Sequence, residues 1–181
     1  MSAFHILFDS LPSQGTAGEV LTCEGTSAIA QWSNVASLLP PYLQAYVPPT
    51  KFSPVLQFGG ANVGITYLNQ SGIYTQMANV IEFTVFITLT SKGTSTGVAT
   101  VTGLPVTSGG NVGWSFPMMN TTNVTPGANC SLLFSTLPTA SNTFGLFQAN
   151  QVAGSPSAIA GLADTNFSNT SSIVFQGTYN N

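Results

Sequence analysis

The stretch NVIEFTVFITL, residues 79–89, decides the fold class of this chain. From residue 81 onward its odd-numbered positions are all apolar, whereas its even-numbered positions mix polar and apolar side chains. A period of two places alternate residues on opposite faces of a β-strand, so the pattern predicts a strand that buries one face. A helix would scatter the odd residues around its circumference, and the β-branched and aromatic content also favours a strand.

Outward from this strand, similar short segments fill the chain from Lys51 onward. The predicted strands are Phe52–Phe58, Ile65–Leu68, Ile73–Met77, Val98–Leu104, Phe144–Gln148 and Ser172–Tyr179, with two more around Trp114 and Cys130. Polar or glycine-bounded segments, such as Asn69–Gly72, are interpreted as the turns between them. About eight or nine short strands with frequent turns predict an all-β fold, an antiparallel sandwich or jelly roll.

Residues 1–50 have a different pattern. FHILF at 4–8 is compatible with a short strand, and Val20–Leu21 with Ile29–Trp32 can form a small hairpin around Glu24-Gly25. Residues 35–46 have the composition of one or two helical turns, and Pro48-Pro49 is typical of a stiff link. We therefore divide the chain into an N-terminal arm, residues 1–50, and a head domain, residues 51–181.

The chain is almost without charge. It holds two Lys, no Arg and five acidic residues. Without a basic patch, neither a nucleic-acid backbone nor an anionic membrane surface is an expected partner. No apolar run approaches the ~20 residues that span a bilayer, and the start lacks a basic leader, so we expect neither membrane insertion nor a secretory signal. Little repulsion keeps copies apart, which favours assembly.

Catalytic chemistry finds little support in the sequence. The single histidine, His5, lies in the arm, and one histidine with two distant cysteines lacks zinc-ligand spacing. We therefore expect no enzymatic activity, no metal and no cofactor. One enzymatic alternative stays open, in which Glu82 and Asp164 form the carboxylate pair of a glycan depolymerase. Otherwise Glu82 is exposed or paired with Lys92, and Asp164 caps the turn Asp164–Phe167.

Binding of a host-surface glycan requires fewer special residues than catalysis does. Aromatic faces and amide or hydroxyl groups are enough. The candidate residues are Tyr67, Tyr74, Asn69, Gln70, Asn111 and Asn120, which we expect on loops. Trp114 stands in an alternating segment and is assigned to the core. For the two tyrosines, a core or subunit contact and an exposed site remain equal alternatives.

Two parts of the chain resemble virion fibre proteins. Residues 15–22, GTAGEVLT, followed by Trp32, resemble the G-x-x-G-x-V-L-T…W element that recurs in bacteriophage tail fibres. Residues 58–105, together with GLADTNF at 161–167 and SSIVFQGTY at 171–179, resemble the C-terminal head domain of many phage tail and virion fibres.

The resemblance implies a virion structural protein, a fibre or spike on the tail or capsid surface. It implies a β-sandwich head in a homotrimer that binds a host-surface glycan or protein as receptor. Residues 1–50 would then attach to other virion proteins. A capsid decoration protein without receptor binding and a glycan depolymerase are the alternatives.

Overall fold

We analysed a computed structural model of the chain, in which residues 17, 19–22, 31–34, 46–110, 113–151 and 158–181 are described. The chain divides into two compact units between Ala45 and Tyr46. Within these residues, the structure has no helix of the length and apolar character that a bilayer-spanning segment needs.

The described part of the first unit is a hairpin. Strand β1, Glu19–Thr22, pairs antiparallel with strand β2, Gln31–Asn34, and Leu21 lies opposite Trp32. The predicted pairing of these segments is therefore confirmed. The segment at 4–8 and the helical turns expected before Tyr46 lie outside the described residues.

The second unit contains ten strands. They are β3 Tyr46–Phe52, β4 Val55–Phe58, β5 Ile65–Met77, β6 Val80–Lys92, β7 Ala99–Thr102, β8 Trp114–Val124, β9 Cys130–Leu137, β10 Phe144–Asn150, β11 Ala158–Gly161 and β12 Phe167–Asn180. A short 3-10 turn, Asp164–Asn166, precedes β12. The all-β expectation is confirmed.

These strands form one antiparallel sheet that curls back on itself. The order is β3-β5-β6-β12-β8-β9-β10-β7-β4, and β11 pairs with β10 beside β7, on the edge away from β9. Strand β8 belongs to both halves, because its first residues pair with β9 and its later residues pair with β12. We call β3, β5, β6, β12 and the end of β8 the front sheet, and the remaining strands the back sheet. The two pack face to face as a sandwich; the jelly-roll connection pattern stays a prediction.

The core lies between the two sheets and centres on Phe83 of β6. All five odd positions from Ile81 to Leu89 are at most 2% exposed, as the alternation predicted. The Phe83 ring lies 5.0 Å from the rings of Phe116 and Phe144, and about 6 Å from those of Phe175 and Tyr179. One side chain of the front sheet thus contacts both sheets and the strand that joins them.

The turn predicted at Asn69–Gly72 is wrong. Strand β5 runs unbroken through it and pairs with β6 along its whole length, apart from an irregularity around Leu68. Gly72 does not break the strand because the ring of Phe52 occupies the space where its side chain would lie. Burial against Phe52 and pairing with β6 outweigh the local turn preference of these residues.

The stiff link predicted at Pro48-Pro49 is also wrong, since both prolines lie within β3. Strand β3 is at the edge of the sheet, and its pairing with β5 shifts register between Val47 and Thr50. Prolines are tolerated at such a position because an edge bulge needs no donor from them.

We predict that Gly177→Ala lowers the free energy of unfolding by about 1–3 kcal/mol, the usual cost of overpacking. A β-carbon at this position, on the inner face of β12, would overlap the ring of Phe116. Gly110→Ala is the matched control, because a β-carbon there meets nothing within 4 Å; its effect should stay within about 0.5 kcal/mol. Chemical denaturation measures both.

A double variant tests the cause of this destabilisation. Phe116→Leu in the Gly177→Ala background should be less damaging than the sum of the two single changes. Simple additivity would contradict the proposed contact.

Candidate functional site

The outer face of the front sheet is the best candidate for a functional site. The inner residues of β6 are buried against the back sheet, so its even-numbered residues point outward. Residues directly opposite one another on neighbouring strands share a face. The strand register therefore identifies which side chains stand beside the outward residues of β6.

Polar side chains surround an exposed aromatic ring at one end of this face. Phe86 is 38% exposed and lies in a row that runs Ser71, Phe86, Val174, Asn120 across four strands. The next row runs Asn69, Thr88, Ser172, Thr122. With strands about 4.8 Å apart, the rows are about 14 Å wide. We name this set the polar platform: Asn69, Ser71, Phe86, Thr88, Ser172, Asn120 and Thr122.

The amide groups of the polar platform are available to a ligand. Asn69 and Asn120 are exposed, and within the described residues no hydrogen bond engages either side-chain amide. The hydroxyls of Thr88 and Ser172 lie 2.9 Å apart and bond to each other, which holds the centre of the platform in place. The platform therefore offers two amides and a ring face on a rigid sheet.

Two of the six predicted binding residues, Asn69 and Asn120, thus share one face, on strands and not on loops. Tyr67, Gln70 and Tyr74 lie on the opposite face of β5. Asn111 lies outside the described residues. Phe86 was not among the predicted residues, although an aromatic residue at an even, outward position of the strand was the available signal.

The inward residues of β5 have structural partners. The Tyr67 hydroxyl accepts a hydrogen bond from the Leu56 amide at 3.1 Å, which ties β5 to the opposite edge strand β4. The Gln70 side chain donates a hydrogen bond to the Pro54 carbonyl oxygen at 3.0 Å, directly before β4. Tyr74 packs edge-on against Phe52 with their centroids 6.3 Å apart. Trp114 packs against the core, as expected.

The acidic residues of the unit are far apart. The Lys92 ammonium nitrogen lies 3.7 Å from Asp164 Oδ2, while Asp164 Oδ1 accepts a hydrogen bond from the Gly97 amide at 2.8 Å. Asp164 therefore holds the loop after β6 instead of capping its own turn. Glu82 is exposed near the other end of β6, on the order of 30 Å from Lys92 at about 3.3 Å per residue. The two carboxylates of one chain do not meet.

Apolar side chains dominate the other end of the outer face. Exposed there are Tyr46 at 49%, Met77 at 50%, Val80 at 40% and Ile73 at 39%. Tyr46, Met77 and Val80 lie side by side in one row. We name these four residues the apolar end.

Two depressions flank Glu82 at the apolar end. One, of about 260 Å³, is lined by Thr75, Met77, Val80 and Glu82. The other, of about 230 Å³, also borders Thr75 and Glu82 and extends to Pro49 and Ile73. Glu82 thus places one carboxylate between a largely apolar hollow and one of mixed polarity.

Across the described ranges, no three His, Cys, Asp or Glu side chains are grouped in a way that would hold a metal ion.

Comparison with known proteins gives one informative match. No family model and no curated protein sequence matches the chain. Among solved structures, it is similar to the crystal structure of the Dettilon tailspike protein (gp208), with a TM-score of 0.59 and 18% sequence identity. The match covers 75% of this chain and 24% of that one. The similarity shows a shared fold, and the chain spans about a quarter of that tailspike chain.

We predict that the free energy of unfolding falls as pH rises above 10. Burial raises the pKa of Tyr67 above its ordinary 10.0. The pKa of Tyr179 is also raised, mainly by burial and to a smaller extent by the nearby Tyr74. The Tyr179 hydroxyl donates a hydrogen bond to the Val106 carbonyl oxygen at 2.7 Å. Above pH 10 the unfolded chain loses these protons while the folded chain retains them, so proton release favours unfolding. For the fully buried Tyr179 the slope approaches about 1.4 kcal/mol per pH unit.

Urea denaturation at intervals between pH 8 and pH 11 measures this dependence. Tyr179→Phe serves as the comparison, because without the titrating hydroxyl the decline should be shallower. A wild-type stability that stays constant or rises over the same interval would contradict the assignment.

Proposed function

We propose that this chain is a phage virion protein, a fibre or spike component whose β-domain recognises a neutral glycan on the host surface. The observation that carries the proposal is the fold shared with a tailspike protein over 75% of the chain. Of residues 1–50, those before strand β3 serve as the attachment arm to other virion proteins, and copies of the chain assemble as a homotrimer.

The polar platform supports the adhesive role. A sugar ring has an apolar C–H face that packs on an aromatic ring, and hydroxyls that exchange hydrogen bonds with amides. Phe86 supplies the first, while Asn69 and Asn120 supply the second. Binding sites of this kind combine an apolar surface with a few well-placed polar groups.

The ligand is neutral because the platform carries no charge. None of its seven residues is a Lys or Arg that could pair with a carboxylate or phosphate. Recognition therefore depends on shape, stacking and neutral hydrogen bonds, so we expect binding that varies little with ionic strength.

Cleavage of the glycan by the pair Glu82 and Asp164 has no support within one chain. A two-carboxylate glycosidase holds its carboxyl groups about 5–10 Å apart, whereas these two stand near opposite ends of β6. Binding without cleavage is the function that this geometry favours.

We predict that antibody raised against residues 46–181 labels the tail tip or fibres of the phage particle that carries this chain. Electron microscopy of gold-labelled particles locates the label. Labelling spread over the capsid would instead support a decoration protein, and absence of label from purified particles would remove the virion role.

We predict that Phe86→Ala weakens binding of the purified chain to host cells by at least about tenfold, since an aromatic residue at the centre of a contact commonly contributes about 2 kcal/mol. Asn120→Ala should weaken it to a smaller degree. The readout is competition by the purified chain with phage adsorption.

Leu132→Ala is the matched control for this experiment. Leu132 is 49% exposed on the back sheet, so its loss removes exposed apolar surface away from the platform. Equal loss of competition in Leu132→Ala and Phe86→Ala would contradict a binding site at the platform.

A further inference from the structure

The four charged residues described in the second unit divide into two kinds. Lys92 and Asp164 form a salt bridge with each other. Lys51 and Glu82 are exposed and take part in no salt bridge within the described residues. In a chain with so few charges, one unpaired cation and one unpaired anion on the same domain are notable.

Lys51 and Glu82 stand on the same surface. Lys51 lies opposite Ile73, and Ile73 lies opposite Thr84, which is two residues from Glu82 on β6. Both charges therefore belong to the outer face at the apolar end. The strand spacing separates their backbone positions by on the order of 12 Å, so they stand on two sides of the same apolar surface.

We infer that the apolar end is an interface between copies of this chain, in which Lys51 of one copy inserts beside Glu82 of the next. The depression between Thr75, Met77, Val80 and Glu82 is about 260 Å³. That volume is several times the room of about 30 Å³ that one water takes up, which leaves space for the methylene groups of a lysine. The methylene groups would pack on Met77 and Val80 while the ammonium meets the carboxylate.

Face-to-face contact fits this surface better than strand addition. The edge strand β3 carries Pro48 and Pro49, which lack the amide donors that a new strand would need. Exposed apolar side chains lie on the face of the sheet beside that edge. Burying them between copies removes apolar surface from water, which supplies the main driving force, and the ion pair sets the register.

This inference rests on the proposed function only in that copies of the chain assemble. It concerns the rows next to the polar platform, with Ile73 one row from Ser71, and shares no residue with the platform. Phe86→Ala should therefore weaken competition with adsorption and leave the mass of the oligomer unchanged, which distinguishes failure of one proposal from failure of the other.

Charge reversal tests the interface in the full chain. Lys51→Glu and Glu82→Lys each bring like charges together, so each should weaken association by at least about tenfold. The double variant, Lys51→Glu with Glu82→Lys, restores opposite charges and should restore association. Light scattering across a range of protein concentrations measures the mass.

Ser115→Glu and Ser115→Lys are the matched controls, because Ser115 is exposed on the back sheet and the same charges there should leave the mass unchanged. Met77→Ser is a second, uncharged variant at a side chain that is 50% exposed. It should weaken association while circular dichroism and thermal unfolding stay as in the wild type.

The inference is overturned if the wild-type chain is a monomer, or if the single reversals and Met77→Ser retain the wild-type mass. A double variant that associates no better than the single ones would remove the pairing of Lys51 with Glu82. Loss of association in the Ser115 controls would attribute the effect to net charge and would also overturn it.

Discussion

Packing around the Phe83 ring is the interaction on which the rest of the structure depends. The ring contacts β8, β10 and β12 at once. Strand β12 belongs to the front sheet, β10 belongs to the back sheet, and β8 links the two. A flat sheet of ten strands would leave one apolar face in water. Curling the sheet over Phe83 buries that face, and the glycine at position 177 leaves room for the Phe116 ring to close the corner.

Because the inner face is buried, the outer face of the front sheet is the surface that remains exposed to binding partners. It has a polar end, with amides and hydroxyls around Phe86, and an apolar end around Glu82. These two compositions suit two different partners, a hydrated saccharide and a second protein surface. We propose that a spike domain uses both, one end for its receptor and the other for its neighbouring copy.

The scarcity of charge bears on both proposed roles. With two Lys and five acidic residues in the whole chain, long-range attraction contributes little to binding or assembly. Affinity must come from apolar burial, stacking and neutral hydrogen bonds, and the few charges act only through local contacts. Lys92 and Asp164 fasten a loop within the domain, whereas Lys51 and Glu82 remain available for contact between copies.

The alternation in residues 79–89 was enough to predict an all-β fold and the inward set from Ile81 to Leu89, because a period of two has one structural meaning. The hairpin of Val20–Leu21 with Ile29–Trp32 was likewise predicted as a local feature, whereas its register came from the structure. The sequence also named Asn69 and Asn120 among six candidate binding residues, since amide groups can exchange hydrogen bonds with a sugar. It could not show that they share a face, because that depends on three strand registers set between distant segments.

Other features were decided only by the tertiary structure. Asn69–Gly72 has the composition of a turn, yet pairing with β6 and the Phe52 ring keep it extended. Of the two alternatives for Glu82, exposure and a pair with Lys92, the structure shows exposure, because β6 separates the two residues and Lys92 pairs with Asp164 instead. By itself the sequence determined which residues of β6 face inward, because alternation is a local property of the chain. Which outward residues become neighbours was decided by strand order and register, which are long-range properties and have no local signature.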